Sequence, residues 1–248
     1  MNLTYYSFRE VIHKSWINIF ENIDKDIWDI TEEEYNELIN KNKNIFPIYT
    51  KIFNFTYFLI PEDIKICIIG QDPYHNVYKE FNNIYYPEAI GLSFSVPKKC
   101  HIPSSLQNIY KNLLKFGHIT SIPTHGDLSF WSYQGVLLLN SALTVEKGKP
   151  NSCQSMWNEF TNELLRIISL KYTGIIFLLW GKHAHLKKHD NIIKNQSNHK
   201  FIISSHPSGY SANLSYREFG SFMDTDHFRI ANKYLIEQQK NTINWSII

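Results

Sequence analysis

The sequence contains little cysteine and no long hydrophobic run. Three cysteines occur among its 248 residues, and none has the CxxC spacing of a zinc or redox motif. This odd number, with an N-terminus that lacks a charged and then apolar leader, predicts reduced thiols in an intracellular protein of the nucleus or cytoplasm. The longest apolar runs, at 136–139 and 175–180, are far shorter than the ~20 residues of a membrane helix, so we expect no membrane contact.

Linker signatures are also missing. The chain has no tract rich in proline, glycine and serine, no long run of one charge and no internal repeat. We therefore predict one domain over 1–248, in which 1–60 is a helical N-terminal part. The net charge of +2 is too small to indicate a nucleic-acid partner, although it permits a local basic face. A hydrophobic fraction of 43% is enough for a sizeable core.

What the chain does contain is an alternation of strand-like and helical patterns. Short apolar runs alternate with stretches in which apolar residues recur every three to four positions. This alternation predicts an α/β fold with three layers, α/β/α, around a central, mainly parallel sheet of about four strands. The predicted strands are 64–69, 92–96, 136–139, 175–179 and 201–203, and the predicted helices are 8–20, 31–40, 105–115, 157–169, 184–189 and 229–239.

Polar residues follow four of the predicted strands at the points where the strands end. Asp72 and Asn140 follow the strands at 64–69 and 136–139, and Lys182 and His206 follow two later ones. Parallel strands share one carboxyl edge, where open α/β sheets bind their ligands. We therefore expect these side chains to converge at one site.

The hexapeptide Gly-Gln-Asp-Pro-Tyr-His at 70–75 is the most informative of these strand ends. Gly70 permits a tight turn, and Pro73 favours an extended conformation at the preceding aspartate. The segment thus holds a carboxylate, an aromatic ring and an imidazole at the mouth of a cleft. Any three of these residues alone would favour an ordinary capped turn.

All six residues together resemble the water-activating motif of family-1 uracil-DNA glycosylases. Six further motifs continue the resemblance in the family's order, over most of the chain from Ser15 to Trp245. They are GLSFSV at 91–96, IPSSL at 102–106, HGDL at 125–128, QGVLLLN at 134–140, LWG at 179–181 and HPS at 206–208. The resemblance implies a monofunctional hydrolase without metal or other cofactor, which flips deoxyuridine out of DNA, releases uracil and leaves an abasic site.

The resemblance assigns catalysis to two residues. Cleavage of the N-glycosidic bond builds positive charge on the sugar and negative charge on the departing base. Asp72 matches the carboxylate that stabilises the sugar and orients a water, and His206 matches the neutral imidazole that donates to the base O2. From the residues alone, a turn-capping aspartate and a hydrogen-bonded structural histidine are the alternatives.

The uracil pocket is assigned in the same way. Asn140 matches the amide that donates to O4 and accepts from N3–H, which suits uracil and rejects cytosine. Tyr74 is expected against C5, where thymine carries a methyl group, and Phe94 is expected to stack on the base. The backbone of Gln71 is expected to assist at the base, and His75 to hold the water network.

Small hydroxyl residues match the family's contacts to DNA phosphates. They are Ser105, Ser208 and Ser211, of which Ser105 also fits the N-cap of a helix. Lys182 stands where the family commonly has serine, so it is either a phosphate contact or a solvated surface residue.

The residue that fills the gap left by the flipped base has two candidates. Family members insert a leucine from the loop after His-Pro-Ser. A gap-free alignment places Tyr210 at that position, and a gapped one places Leu214 there. We favour Tyr210, because it keeps the spacing from His206 and retains Ser211 as a phosphate contact.

Residues 76–90 form an insertion relative to the family. Its aromatic residues Tyr78, Phe81, Tyr85 and Tyr86 predict that it packs beside the site or contacts DNA or a partner protein. A lineage-specific surface loop is an equal alternative.

The sequence also bears on metal binding, on rival functions and on partners. The histidines at 183, 185 and 189 lack a zinc spacing, so no metal site is expected. A polymerase-processivity accessory subunit and a glycosylase with another base preference are the rival functions. The expected partners are single- and double-stranded DNA containing uracil and, further, a replication or repair protein, with the chain as a monomer.

Overall fold

A computed structural model describes residues 5–80 and 83–247 of the chain. Its strands are β1 (Ile45–Phe46), β2 (Ile66–Gly70), β3 (Val77–Lys79), β4 (Tyr85–Pro87), β5 (Val136–Asn140), β6 (Val145–Glu146), β7 (Ile176–Trp180) and β8 (Lys200–Ser204). Its α-helices are α1 (Ile17–Phe20), α2 (Lys25–Asn40), α3 (Phe55–Phe58), α4 (Ser104–Lys115), α5 (Ser129–Tyr133), α6 (Gln154–Lys171), α7 (Gly181–His189) and α8 (His227–Glu237).

Four parallel strands form the central sheet in the spatial order β5-β2-β7-β8. From β2 the chain continues to β5 on one side and then to β7 on the other, so the strand order reverses at β2. The register places Gly70, the last residue of β2, beside Asn140, the last residue of β5. Open α/β sheets bind ligands at such a reversal, outside the carboxyl ends of the strands.

The central strands form because they are apolar along almost their whole length. Strands β2, β5 and β7 are buried at every position, which is typical of a parallel sheet covered by helices on both faces. Helix α6 buries Trp157 and Phe160 completely in the core. The predicted α/β fold with a parallel sheet of four strands is confirmed.

The predicted continuous helix at 8–20 is wrong. This segment contains two separate 3-10 turns before the short helix α1. Ile12 interrupts it with extended backbone, φ −101° and ψ 131°, and the break lets Phe8 and Trp16 both become fully buried. The ring of Phe8 stacks on Trp157 with centroids 5.2 Å apart. Packing against α6 therefore decides the path of the N-terminal part.

The predicted strand at 92–96 is also wrong, because this segment consists of bends and turns. Phe94 has a φ of +62°, a left-handed conformation that a β-strand does not contain. The N–H of Ser93 donates to the carbonyl oxygen of Leu138 at 3.2 Å, which ties the segment to β5. The turn is thus held against the carboxyl half of the sheet.

The insertion at 76–90 forms an antiparallel hairpin of β3 and β4, with Tyr78 opposite Tyr86. Phe81 lies outside the described residues. Val77 packs on a small apolar cluster of the body. The start of β3 therefore packs on the body, and the role of the insertion as a whole stays a prediction.

Two further features are the state of the cysteines and the length of the apolar helices. The three cysteines Cys67, Cys100 and Cys153 are buried and free. Over 5–80 and 83–247, no helix combines the length and the apolar character needed to cross a membrane.

Candidate active site

A cavity of about 230 Å³ opens at the carboxyl edge of the sheet, beside the reversal of strand order. Three of the four strand-end residues, Asp72, Asn140 and His206, line it together, as predicted. The fourth, Lys182, lies in an adjoining depression that His206 also lines. The other predicted site residues that line the cavity are Gln71, Tyr74, His75, Phe94 and Ser105.

Gly70 is required at the end of β2 because Asn140 reaches across it. The N–H of Ser141 donates to the carbonyl oxygen of Gly70 at 3.0 Å, which continues the pairing of the two strands past their ends. A Cβ atom at Gly70 would collide with Oδ1 of Asn140 and would lie 2.9 Å from Cβ of Ser93. The Asn140 side chain is 7% exposed, so its amide is held in one place at the cavity wall.

Asp72 is held by a loop that the sequence analysis did not single out. Its Oδ2 accepts a hydrogen bond from the N–H of Asn151 at 2.8 Å, and the Asn151 side chain bonds to Nε2 of Gln71. The loop is anchored because the N–H of Gly148 donates to the carbonyl oxygen of His75 at 2.9 Å. In sequence these loop residues have only ordinary turn composition, so their role becomes visible only through these contacts.

The hydrogen bonds of His206 select one tautomer. The N–H of Ser208 donates to Nδ1 of His206 at 3.0 Å, so we assign the proton of the neutral ring to Nε2. Burial, with a smaller contribution from His183, lowers the pKa of His206 from 6.5 to about 4. At neutral pH this imidazole is therefore uncharged, and its Nε2–H is a hydrogen-bond donor.

His206 lies beside Phe94, because the backbone at Gly181 approaches His206 closely and the two rings pack against each other. Gly181 has a φ of +82°, and a Cβ atom there would lie 2.8 Å from Cβ of His206. The Phe94 ring centroid lies 5.9 Å from that of His206 and 5.5 Å from that of Trp180. Phe94 is half-buried and lines the cavity, so a flat heterocycle can stack on it.

Tyr74 and His75 complete the wall. The Tyr74 hydroxyl donates to the carbonyl oxygen of Phe94 at 3.3 Å, and burial raises the pKa of Tyr74 well above its usual value. Its ring is therefore a fixed, uncharged part of the wall. Within the described residues, Nδ1 of His75 is buried without a hydrogen-bond partner.

The loop after β8 holds two of the predicted phosphate contacts in one turn. The Oγ atoms of Ser208 and Ser211 are 2.8 Å apart, and Ser211 Oγ donates to the carbonyl oxygen of His206 at 3.0 Å. Both candidate wedge residues project from this loop, since Tyr210 is 92% exposed and Leu214 is 55% exposed. The geometry leaves both wedge alignments open.

The other two predicted phosphate contacts lie at the starts of helices. Helix α4 begins at Ser104, and the preceding Pro103 occupies the N-cap position without a side-chain hydrogen bond. The alternative in which Ser105 caps this helix is therefore wrong, because Ser105 lies in the first turn. Lys182 is the exposed second residue of α7. Its charge contributes, after burial, to lowering the pKa of the neighbouring His183.

The histidines of α7 make other contacts. In the part of the chain that the structure describes, no group of three or more histidine, cysteine, aspartate or glutamate side chains could hold a metal ion. Nδ1 of His185 instead lies 3.2 Å from the hydroxyl of Tyr216.

The chemistry of the cavity is that of an enzyme acting on a nucleobase. An aromatic face and an amide lie beside a carboxylate and a neutral hydrogen-bond donor, which is a set of groups that can hold a nucleobase. All of them are placed at the ligand-binding edge of an α/β sheet. The fold and the cavity are thus those expected of an enzyme that acts on a nucleobase.

Comparison with known proteins identifies the family. The model of the uracil DNA glycosylase superfamily matches residues 58–236. The uracil-DNA glycosylase of Borreliella burgdorferi (strain ZS7) is 40% identical over 243 residues, which cover 94% of this chain and 98% of that protein. The uracil-DNA glycosylase of Francisella tularensis subsp. novicida (strain U112) is 41% identical over 207 residues, which cover 83% of this chain and 86% of that protein.

Solved structures agree with the sequence relatives. The crystal structure of mimivirus uracil-DNA glycosylase superposes with a TM-score of 0.90 and 32% identity, covering 98% of this chain and 90% of that one. A tyrosine-to-leucine variant of mimivirus UNG in complex with UGI superposes with a TM-score of 0.89, also at 32% identity, covering 98% of this chain and 92% of that one. This chain belongs to the uracil-DNA glycosylase superfamily.

Proposed function

We propose that this protein excises uracil from DNA, with Asp72 and His206 as its catalytic residues. Its place in the superfamily makes it an N-glycosidic hydrolase of DNA repair that acts on DNA containing uracil. The relatives described above are named as glycosylases, which favours this activity over an accessory subunit of a polymerase. The individual residue roles rest on the geometry of the cavity.

One observation carries these roles: Asp72, Asn140 and His206 line the same cavity. They come from three different parts of the chain, and the parallel register brings them to one edge. A deoxyuridine in this cavity would have an amide, a carboxylate and a neutral donor within reach of a single base and its sugar.

The bond that breaks joins N1 of uracil to C1′ of the sugar. Its electron pair leaves with uracil, and the Nε2–H of His206 stabilises the negative charge that develops on the base O2. Asp72 stabilises the positive charge on the sugar and orients the water whose oxygen bonds to C1′. That water loses a proton, which Asp72 accepts and which finally passes to the uracil anion. His75 supports that water, since a buried nitrogen without a protein partner is suited to a bridging water.

Recognition of uracil rests on three other residues. The Asn140 amide donates to O4 and accepts from N3–H, whereas cytosine presents an amino group and an unprotonated N3 there. The half-buried Tyr74 ring lies against C5 and excludes the methyl group of thymine. Phe94 stacks on the base, and the backbone of Gln71 assists at its edge.

Contacts to the DNA backbone follow from the same placement. Ser105, Ser208 and Ser211 contact phosphates around the flipped nucleotide, and Lys182 adds a positive charge beside them. The protein acts on single- and double-stranded DNA containing uracil as an intracellular monomer, with a replication or repair protein as a further partner.

The test of the catalytic roles is single-turnover release of uracil from a single-stranded oligonucleotide. His206→Leu removes the donor and should slow release by about 10²–10³, and Asp72→Asn should slow it by at least as much. Asp63→Asn is the matched control, because Asp63 is an exposed carboxylate at the opposite, amino end of β2. Near-normal rates for both site variants, with unchanged thermal unfolding, would refute these roles.

A further inference from the structure

The hairpin of β3 and β4 arises from the rim of the active-site cavity. Strand β3 begins two residues after His75, and the chain returns from β4 to Ala89, which lines the same cavity. The N–H of Glu88 donates to the carbonyl oxygen of Asn76 at 3.1 Å and closes the base of the hairpin. Whatever strand of DNA enters the cavity must therefore pass near this hairpin.

Contacts with the body hold the hairpin in place. Val77 packs against the apolar cluster that includes Phe46 and Val145. Glu80, which follows β3, accepts a hydrogen bond from the Tyr78 hydroxyl at 3.3 Å and pairs with Lys99 at 3.0 Å. These contacts tie strand β3 and Glu80 to the body beside the cavity.

The outer part of the hairpin combines an exposed ring with a positive charge. Tyr85 is 62% exposed, and Nζ of Lys79, its cross-strand neighbour, lies 5.8 Å from its ring centroid. Proteins that bind single-stranded nucleic acid use this pairing, because a ring stacks on a base while a cation contacts the backbone. More than half of the surface of Tyr85 is accessible for such stacking.

We propose that Tyr85 stacks on an unpaired base of the substrate strand near the flipped deoxyuridine, and that Lys79 contacts a phosphate of that strand. This proposal rests on the proposed glycosylase activity. Three residues of β-strand span about 10 Å, so the ring lies beyond the nucleotides that the cavity itself holds. In a duplex the neighbouring bases are paired with the opposite strand and stacked on one another, so the contact serves single-stranded DNA.

The test compares two single-stranded substrates, one with a single nucleotide on each side of deoxyuridine and one with eight on each side. Tyr85→Ala should raise KM for the long substrate about tenfold, as expected for the loss of one stacked base. The short substrate does not reach Tyr85, so its KM should be the same for Tyr85→Ala as for the unchanged protein. Tyr85→Phe keeps the ring and should restore the KM for the long substrate.

Tyr133→Ala is the matched control. Tyr133 is 65% exposed but lies on α5, before the amino end of β5 and thus at the opposite edge of the sheet. Tyr133→Ala should leave the KM of both substrates unchanged. For the long single strand, the logarithm of the DNA-binding constant falls linearly with the logarithm of the salt concentration. Lys79→Gln should make this slope shallower by about 0.7, the value for one phosphate contact.

Three results would overturn the proposal. The first is an equal effect of Tyr85→Ala on both substrates, which would indicate a change in the cavity itself. The second is an equal effect of Tyr85→Ala on the long single strand and on the same strand annealed to its complement. The third is no effect on either DNA, which would assign the hairpin to a protein partner. Failure of the unchanged protein to release uracil from either substrate is a different result, since it would refute the proposed function.

Discussion

His206 provides the sharpest test of the active site, because its charge state and its tautomer both follow from the structure. With a pKa of about 4, the ring is about 99% neutral at pH 6. A histidine with the ordinary pKa of 6.5 would be only about 24% neutral there. Loss of the neutral donor should therefore reduce uracil release only as the pH falls towards 4.

The lowered pKa of His206 also determines whether the folded protein gains or loses stability as the pH falls. The pKa of His206 is lower in the folded protein than in the unfolded chain, so the unfolded state binds a proton first as the pH falls. Stability attributable to this residue is fully present above about pH 6.5 and is lost as the pH falls towards 4. A shift of this size corresponds to about 3 kcal/mol.

Nuclear magnetic resonance of protein labelled with ¹⁵N-histidine can follow this ring directly. His206→Gln removes one set of signals and so assigns them. Those signals should show hydrogen on Nε2, none on Nδ1, and no titration between pH 8 and pH 5. Single-turnover release of uracil, followed from pH 8 down to about pH 4 with a thermal melt at each pH, connects the ring to the reaction.

Two observations would refute this reasoning. One is a His206 ring that titrates near 6.5, because burial would then not keep it neutral. The other is a neutral ring with hydrogen on Nδ1, because the hydrogen bond from the Ser208 N–H could then not exist. The activity profile is secondary, since an acid limb that persists in His206→Gln belongs to another group.

Two further predictions concern base choice and the DNA wedge. Asn140→Asp should gain release of cytosine, because a protonated carboxyl can meet the cytosine edge, and Tyr74→Ala should gain release of thymine. Chromatography of the bases freed from matched oligonucleotides detects both products. Strict uracil specificity in both variants would contradict the pocket assignment. Tyr210→Ala should reduce activity on double-stranded DNA far more than on single strands, because only the duplex has a stack to fill. If Leu214→Ala shows this duplex-selective defect and Tyr210→Ala does not, the gapped alignment is correct.

Much of the fold could be predicted because the central strands carry strong local signals. The runs that become β2, β5 and β7 are apolar at nearly every position, and a parallel sheet buried on both faces requires this pattern. Phe94 shows where such reasoning fails. Its segment has the composition of a strand, but the chain turns there because Phe94 adopts a left-handed conformation beside β5.

Local sequence is enough to show which chemical groups follow each strand, because a strand and the turn after it are set by residues close in the chain. Asp72, Asn140 and His206 could therefore be named, and their shared edge inferred, without coordinates. How each group is held depends instead on contacts between distant segments. The N–H of Asn151 fixes Asp72 across 79 positions of sequence, and Gly70 leaves room for Asn140 only because β2 and β5 lie side by side. Such contacts depend on the packing of the whole chain, and no local pattern encodes them.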